Sequence, residues 1–437
     1  MEWYHAFLLI FGSLMFFLAL GLPVAFSFFV VILGSSMYFI GPEIGPSRLV
    51  LSFYSTLAHF TIAPLPMFIL MGAAMFHSGV GMAAIDGMAK WLGKLPGRLS
   101  ILALAGGTLM SMLSGVAMAT TAMLGSLLLP EMLRRGYSKP MSIGPIIGSG
   151  GLAIIIPPSA LVVIYATIAE ISVGRLLIAG VVPGLLMATL YLAQIIIRVK
   201  LNPSLAPAYE VSLPSLKEKL RALFVDILPL GFIVFLVLGL IFLGVATPTE
   251  SASVGAIGTL LLTMFYRKFS WAMLVRSVAD TVKVSVMALL IIGGSVAFSQ
   301  ILGLTGVNRG IVGIIQHLNW PPYSLLLMMM VMVLSLGTFM DQISIMMITI
   351  PIFSPILDFL GFDPVWWGIL MLINLEIALT TPPFGLLLFV MKGVAPGDTT
   401  MWDIYSAGFP FLLCDVVALI LVTAFPVLAL WLPLLMF

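Results

Sequence analysis

Apolar and polar positions hardly alternate along this chain; apolar residues instead run on for bilayer-spanning lengths between short polar interruptions. The runs fall at about 4–21, 24–40, 49–76, 141–169, 175–197, 223–245, 249–266, 272–302, 364–391 and 403–434. Each predicts a crossing helix, because a hydrocarbon core roughly 30 Å thick takes about 20 apolar residues to span. Met1-Glu2-Trp3 puts no positive charge ahead of the first run, so that run reads as a retained helix and not a cleaved signal. The stretch 200–222 reads as a linker followed by an amphipathic surface helix.

Two stretches do not fit a single crossing. Residues 99–133 would form a helix on the order of 52 Å long at 1.5 Å per residue, so a fold-back is expected at "SMLSGVAMATT", 111–121. Lys90, Lys94 and Arg98 precede it, and Arg134, Arg135 and Lys139 follow it. Both ends therefore read as cytoplasmic, which makes 99–133 a re-entrant hairpin. Residues 322–360 read as a second hairpin turning near "SLGTFMDQ", 335–342. Asp358 and Asp363 stand behind it and no lysine or arginine is nearer than Arg309, so it is expected to open outward. The remaining positive residues then fall mostly inside, with both termini outside.

Proline and glycine positions recur at a nearly constant offset. Pro23 matches Pro248, Pro96 matches Pro321, Pro130 matches Pro355, and Pro157-Pro158 matches Pro382-Pro383, each 225 apart; Gly79 matches Gly306 at 227 and Gly180 matches Gly408 at 228. Six ordered matches predict a tandem duplication, 1–199 and 223–437 around the linker. Five crossings and one hairpin per copy invert the second copy relative to the first. The expected fold is an all-α polytopic membrane protein of two inverted repeats. Scaffold helices fall at about 1–76 and 223–302, transport elements at about 81–199 and from 322 onward, and proline-broken helices at 141–169 and 364–391.

Composition agrees: 61% of the 437 residues are hydrophobic, 8% are charged, and mean hydropathy is +1.21. A net charge of +2 is too small to indicate nucleic acid, and a single Cys414 excludes an internal disulfide. Neither H-E-x-x-H nor G-x-G-D occurs, which argues against an intramembrane protease. His5, His59, His77 and His317 lack metal spacing. The 29 methionines read as adaptable packing. No enzyme activity is expected.

A proline pair breaks any helix it enters, and unwound backbone at membrane depth persists only where buried or lining a cavity. Its carbonyls there suit Na⁺. Sodium sites are expected where each hairpin tip meets a break, around Ser114, Gly115, Gly150 and Pro157 in one copy and Gly337, Thr338, Thr380, Thr381 and Pro382 in the other. Substrate contacts are expected from Thr120, Ser159, Asp341 and Glu376. Ser159 serves equally as a cap. Glu376 lies inside its span and reads either as a ligand group or as an acceptor orienting the unwound segment. Asp341 reads as the N-cap of the hairpin's second arm or, more sharply, as a group facing the central cavity. Glu250 reads as half of a capping box with Thr247, and Lys283 as a partner of Asp280.

The segments "PLPMFILMG", "GGLAIIIPPS", "ATPTESASVGAIG" and "NLEIALTTPPFG" resemble the large membrane subunit of tripartite ATP-independent periplasmic (TRAP) transporters over essentially the whole chain. The resemblance implies Na⁺-coupled import of a carboxylate or related organic acid by an elevator movement in a bacterial inner membrane. It implies two partners, a small four-helix membrane subunit and a periplasmic substrate-binding protein. Members often carry a second serine where this chain has Ser114-Gly115-Val116, which points to a substrate other than sugar acids. A self-sufficient Na⁺/dicarboxylate symporter of related fold remains the alternative.

Overall fold

The computed structural model describes residues 2–93, 95–207, 214–318, 320–338, 340–383 and 385–436, with only the backbone described at position 114. Lys94, linker residues 208–213 and the side chain of Ser114 lie outside that description. Among the described residues every regular element is helical.

The first half runs α1 (Trp3–Ala19), α2 (Val24–Phe39), α3 (Ile44–Leu57), α4 (Pro64–Ser78), α5 (Val80–Trp91), α6 (Arg98–Ser114), α7 (Ala117–Arg134), α8 (Lys139–Gly151), α9 (Ala160–Ile168), α10 (Val173–Ala179) and α11 (Val181–Leu201). The second runs α12 (Leu216–Arg221), α13 (Leu228–Phe242), α14 (Pro248–Phe265), α15 (Trp271–Leu304), α16 (Val307–Leu318), α17 (Pro322–Gly337), α18 (Gln342–Leu360), α19 (Pro364–Thr380), α20 (Leu386–Val394), α21 (Met401–Ala424) and α22 (Val427–Leu434). Element order recurs between them. The 12-residue helices α5 and α16 start 227 positions apart (307 minus 80), and the nine-residue helices α9 and α20 start 226 apart (386 minus 160).

Six helical segments are long and apolar enough to cross a membrane, and shorter apolar helices accompany them. Three expectations need correction. The run 49–76 is not one helix: α3 stops at Leu57, a single 3-10 turn covers Phe60–Ile62, and α4 restarts at Pro64. Pro64 and Pro66 have no N–H to continue the ladder, and His59 Nδ1 holds Thr61 Oγ1 at 2.9 Å in the gap. The run 403–434 likewise breaks, at Phe425-Pro426, between α21 and α22. The surface helix expected within 200–222 is not separate. Capped by Ser215, it continues from Leu216 through a wider turn at Ala222–Ile227 into α13, one helical segment to Phe242.

Length alone does not force a fold-back. α15 runs 34 residues unbroken, roughly 51 Å at 1.5 Å per residue, about as long as the 99–133 stretch that turns. What differs is the turn chemistry. Gly115 ends α6 with φ 60°, a left-handed conformation that side chains resist, and α7 starts two residues later. The arms close at their far ends, where Leu99 N–H donates to the Tyr137 hydroxyl at 3.3 Å. The α17–α18 pair is closed by the Tyr323 and Phe362 rings, 5.7 Å between centroids.

At the centre lie α8 and α19. All residues of α8 from Met141 to Gly151, and all of α19 from Val365 to Thr380, are buried, the mark of helices surrounded on every side. α6 packs along α8, α17 along α19, and α4 against α14 and α15. A second apolar core joins α1, α2, α3, α15 and α16 through Ile10, Phe28, Leu49, Phe298 and Val307, and Met347 and Ile348 of α18 pack into it.

Candidate functional site

The first break follows α8. One 3-10 turn, Leu152–Ile154, carries the chain to Pro157-Pro158, and α9 begins at Ala160. The whole gap is buried. The Ser159 hydroxyl donates to the Ile154 carbonyl at 2.8 Å, so it is spent within the break. The hairpin tip reaches this place: a Cβ on Gly115 would lie 3.5 Å from the Ala160 nitrogen and 3.7 Å from the Pro158 carbonyl oxygen. One turn before the tip, the Ser111 hydroxyl donates to the Ser149 carbonyl at 2.7 Å and fastens α6 to the end of α8. On the other arm, the Thr121 hydroxyl is buried without a partner among the described residues, pressed where Gly150 lacks a Cβ. Thr120 is buried beside it, its hydroxyl bonded to the Val116 carbonyl at 3.4 Å.

The second break repeats this plan with different details. α19 ends at Thr380, and Pro382 and Pro383 are exposed where Pro157 and Pro158 are buried. Gly337, the last residue of α17, sits against Ala378, where a Cβ would overlap the alanine methyl. Asn374 fastens the arm by donating to the Met330 carbonyl at 2.7 Å, and its own carbonyl oxygen is buried and unpaired among the described residues. Thr380 donates to the carbonyls of Glu376 and Ile377, both at 3.2 Å, and Thr381 to Ile377 at 2.6 Å. The Thr338 hydroxyl bonds the Ser335 carbonyl in the same way at 2.7 Å. Asp341 is exposed and caps α18, accepting from the Ile343 and Ser344 amides at 3.1 and 3.2 Å and from the Ser344 hydroxyl.

Between the breaks lies an acidic pair. Glu376 has no exposed surface, and neither carboxyl oxygen has a hydrogen-bond partner among the described residues; a Cβ on Gly151 would overlap that carboxyl. Glu376 thus accepts no backbone bond from the described residues. Asp415 on α21 is also buried and accepts from the Tyr191 hydroxyl of α11. A Cβ on Gly148, one turn before Gly151, would lie 3.3 Å from the Tyr191 ring. The glycines of "GPIIGSGG" therefore make the room into which these larger groups fit.

The structure brings Gly115 beside Pro158 and Ala160, and Gly150 against Thr121, at one junction, Gly337 against Ala378, two residues before Thr380, at the other, and Glu376 against Gly151. The Thr247–Glu250 capping box is present, Glu250 accepting from the Thr247 amide at 2.7 Å. Lys283 stands 3.9 Å from Asp280, whose closer partner is His77 at 2.7 Å. Sequence reasoning missed Thr121, Asn374 and Asp415. Asp415 carried a legible signal, an acid deep in an apolar run, the same feature that singled out Glu376.

Two interrupted helices at the centre of a polytopic protein, each met by a hairpin tip, are the parts of a membrane transporter. The family model "Tripartite ATP-independent periplasmic transporter, DctM component" matches residues 11–428, and the chain belongs to this family. It is 35% identical, over 88% of its length and 89% of the relative's, to the C4-dicarboxylate TRAP transporter large permease protein DctM of Pseudomonas aeruginosa. It is 31% identical over 88% of its length to the isethionate TRAP transporter permease protein DctMQ of Oleidesulfovibrio alaskensis, a longer protein of which the match covers 60%. Among solved structures, the Alcanivorax borkumensis YdaH transporter shares the fold, with TM-score 0.58 and 14% identity over 90% of this chain and 88% of that one.

Proposed function

We propose that this chain is the permease of a Na⁺-driven importer that moves a small organic anion, a carboxylate or close relative, across a bacterial inner membrane. The observation that carries the reading is the double junction: each hairpin tip meets a break. At the first, a buried hydroxyl of Thr121 is left without a partner among the described residues, an oxygen free to face a hard cation. Na⁺ is cargo here. Backbone carbonyls near Gly115, Gly150 and Pro157, with Thr121, form the first site; those near Gly337, Thr380 and Pro382 form the second. The Thr380 and Thr381 hydroxyls are already bonded within α19, so the second site leans on backbone oxygens. The two named relatives take a dicarboxylate and a sulfonate, both anions, which supports an anionic substrate.

The recurring element order supports two repeats of opposite orientation, with the hairpins opening to opposite faces and both termini outside. The second core, built on α1, α2, α3, α15 and α16 with Met347 and Ile348 of α18 packed into it, supports a scaffold face against which the hairpins and broken helices move as an elevator. A small four-helix membrane subunit and a periplasmic binding protein complete the system in this reading, consistent with a family described as one component of a tripartite transporter. The test is uptake by the reconstituted complex in a Na⁺ gradient, with choline replacing Na⁺ at fixed pH and voltage. Uptake is expected to collapse in choline; undiminished uptake would refute Na⁺ coupling.

A further inference from the structure

The two junctions are joined by a continuous path of packed groups. Ser111 ties the first hairpin to the end of α8. Gly151, the last residue of α8, lies against the Glu376 carboxyl. Glu376 belongs to α19, one turn before that helix ends at Thr380, and Asn374 and Ala378 of the same helix hold the second hairpin through Met330 and Gly337. Gly151 and Glu376 are thus where one broken helix bears directly on the other. The contact leaves no slack, because Gly151 has no side chain to yield and Glu376 is wholly enclosed. A carboxyl enclosed without a partner among the described residues is a costly way to fill space, and such costs persist where function maintains them.

We propose that Glu376 is a positioning residue that couples the two breaks, so that ordering one around its ion presets the other. Displacement of the α8 end is transmitted through Gly151 to Glu376 and along α19 to the second tip. The inference rests on the reading that each break binds Na⁺. Two coupled ion sites give a Hill coefficient approaching two, and independent sites of similar affinity give about one.

The decisive variant is the pair Gly151→Ala with Glu376→Ala, in which the new methyl takes the space the shortened side chain vacates. Equilibrium binding of radiolabelled Na⁺ to the purified chain is titrated, because uptake that needs two ions is sigmoidal even when the sites are independent, and the same chain is unfolded thermally. Gly151→Ala alone is expected to lower the unfolding midpoint, because its methyl overlaps the carboxyl. The double variant is expected to recover that midpoint while its Hill coefficient falls from about two to about one. A residue that merely fills space would recover both, so a double variant with restored stability and a coefficient of about two overturns the inference. Hydrogen exchange of the unmutated chain gives a second readout that does not depend on a variant folding. Amides of 152–156 and those of Thr381 and Gly385 are expected to gain protection at one common Na⁺ midpoint; separate midpoints overturn the inference. A wild-type chain whose uptake ignores Na⁺ overturns the underlying ion reading, and this inference with it.

Discussion

Gly144 and Gly239 are both interior helical glycines, yet the same substitution is expected to move stability in opposite directions. A Cβ on Gly144 would lie 2.5 Å from Phe411 Cε2 and 2.6 Å from the Ala407 carbonyl oxygen, against an ordinary contact of 3.4–4 Å. The ring has some freedom to turn; the backbone oxygen has none. Relieving the carbonyl contact parts α8 from α21 by about 0.8 Å (3.4 minus 2.6). A gap of that size forfeits at least a quarter of the dispersion well. With about 40–60 contacts of roughly 0.1–0.2 kcal/mol each, the loss at Phe411 is on the order of 1–3 kcal/mol. Better helix propensity returns at most about 1 kcal/mol. Gly144→Ala is therefore expected to destabilise by up to about 2 kcal/mol net of the helix-propensity gain. Gly239 of α13 faces open space, with nothing within 4 Å of where a Cβ would stand, so Gly239→Ala gains up to about 1 kcal/mol from propensity alone. Thermal unfolding of the purified chain in one detergent, followed by loss of monomer on size exclusion, reads both. Adding Phe411→Leu to Gly144→Ala should recover only part of the loss, because the Ala407 carbonyl stays in place. A Gly144→Ala chain more stable than wild type would refute the reasoning.

Thr121→Val replaces an unpaired buried hydroxyl with a methyl of the same shape, so the chain should gain about 1–3 kcal/mol in thermal unfolding. Its Na⁺ half-saturation in uptake should meanwhile rise roughly tenfold, equivalent to about 1.4 kcal/mol; a gain of stability with unchanged Na⁺ dependence would remove Thr121 from the ion site. Single cysteines placed by Arg134→Cys and Asp358→Cys in a Cys414→Ser background, both at exposed positions, should label from opposite membrane faces, and labelling from one face would refute inverted hairpins. Thr247→Ala removes the acceptor of the Glu250 amide and should cost about 0.5–2 kcal/mol in the same unfolding assay.

The helical, polytopic character of the chain is legible in the sequence because apolar runs of spanning length allow little else. The places where sequence reasoning fails share one cause. Within an apolar run, hydropathy does not distinguish a continuous helix from an interrupted one. The runs 49–76 and 403–434 therefore read straight across Pro64 and Pro426, while 200–222 reads as cut from a helix that continues. Proline pairs are legible as breaks because two missing donors in sequence leave no helical solution; a single proline after a short loop gives a weaker signal. At the site, Ser159 and Asp341 are recognisable as groups able to cap; Asp341 caps α18, whereas the Ser159 hydroxyl donates back to the Ile154 carbonyl and makes no cap bond to α9. Thr121 is hidden because its isolation depends on Gly150 lying opposite, a tertiary fact. Asp415 is visible as an intramembrane acid, but its pairing with Tyr191 joins residues 224 positions apart.

In a bilayer the apolar surroundings do not drive helices together, so contact comes from close approach at small residues and from polar groups satisfied across the interface. α8 shows both at once. Gly144 and Gly148 admit Phe411 and the Tyr191 ring, and the Ser100 and Ser111 hydroxyls of α6 donate to the Met141 and Ser149 carbonyls at 2.6 and 2.7 Å. Only at its last two residues does the pattern change. Gly150 and Gly151 admit the Thr121 hydroxyl and the Glu376 carboxyl, and neither is paired among the described residues. Unpaired hydroxyls occur elsewhere among the described residues, as at Ser251 and Thr259 of α14. Among the described residues, however, Glu376 is the one carboxyl with both oxygens buried and unpaired. Packing needs alone would have filled that space with carbon. The cost is concentrated where the two interrupted helices touch, which is the place a transporter has most reason to keep responsive to its cargo.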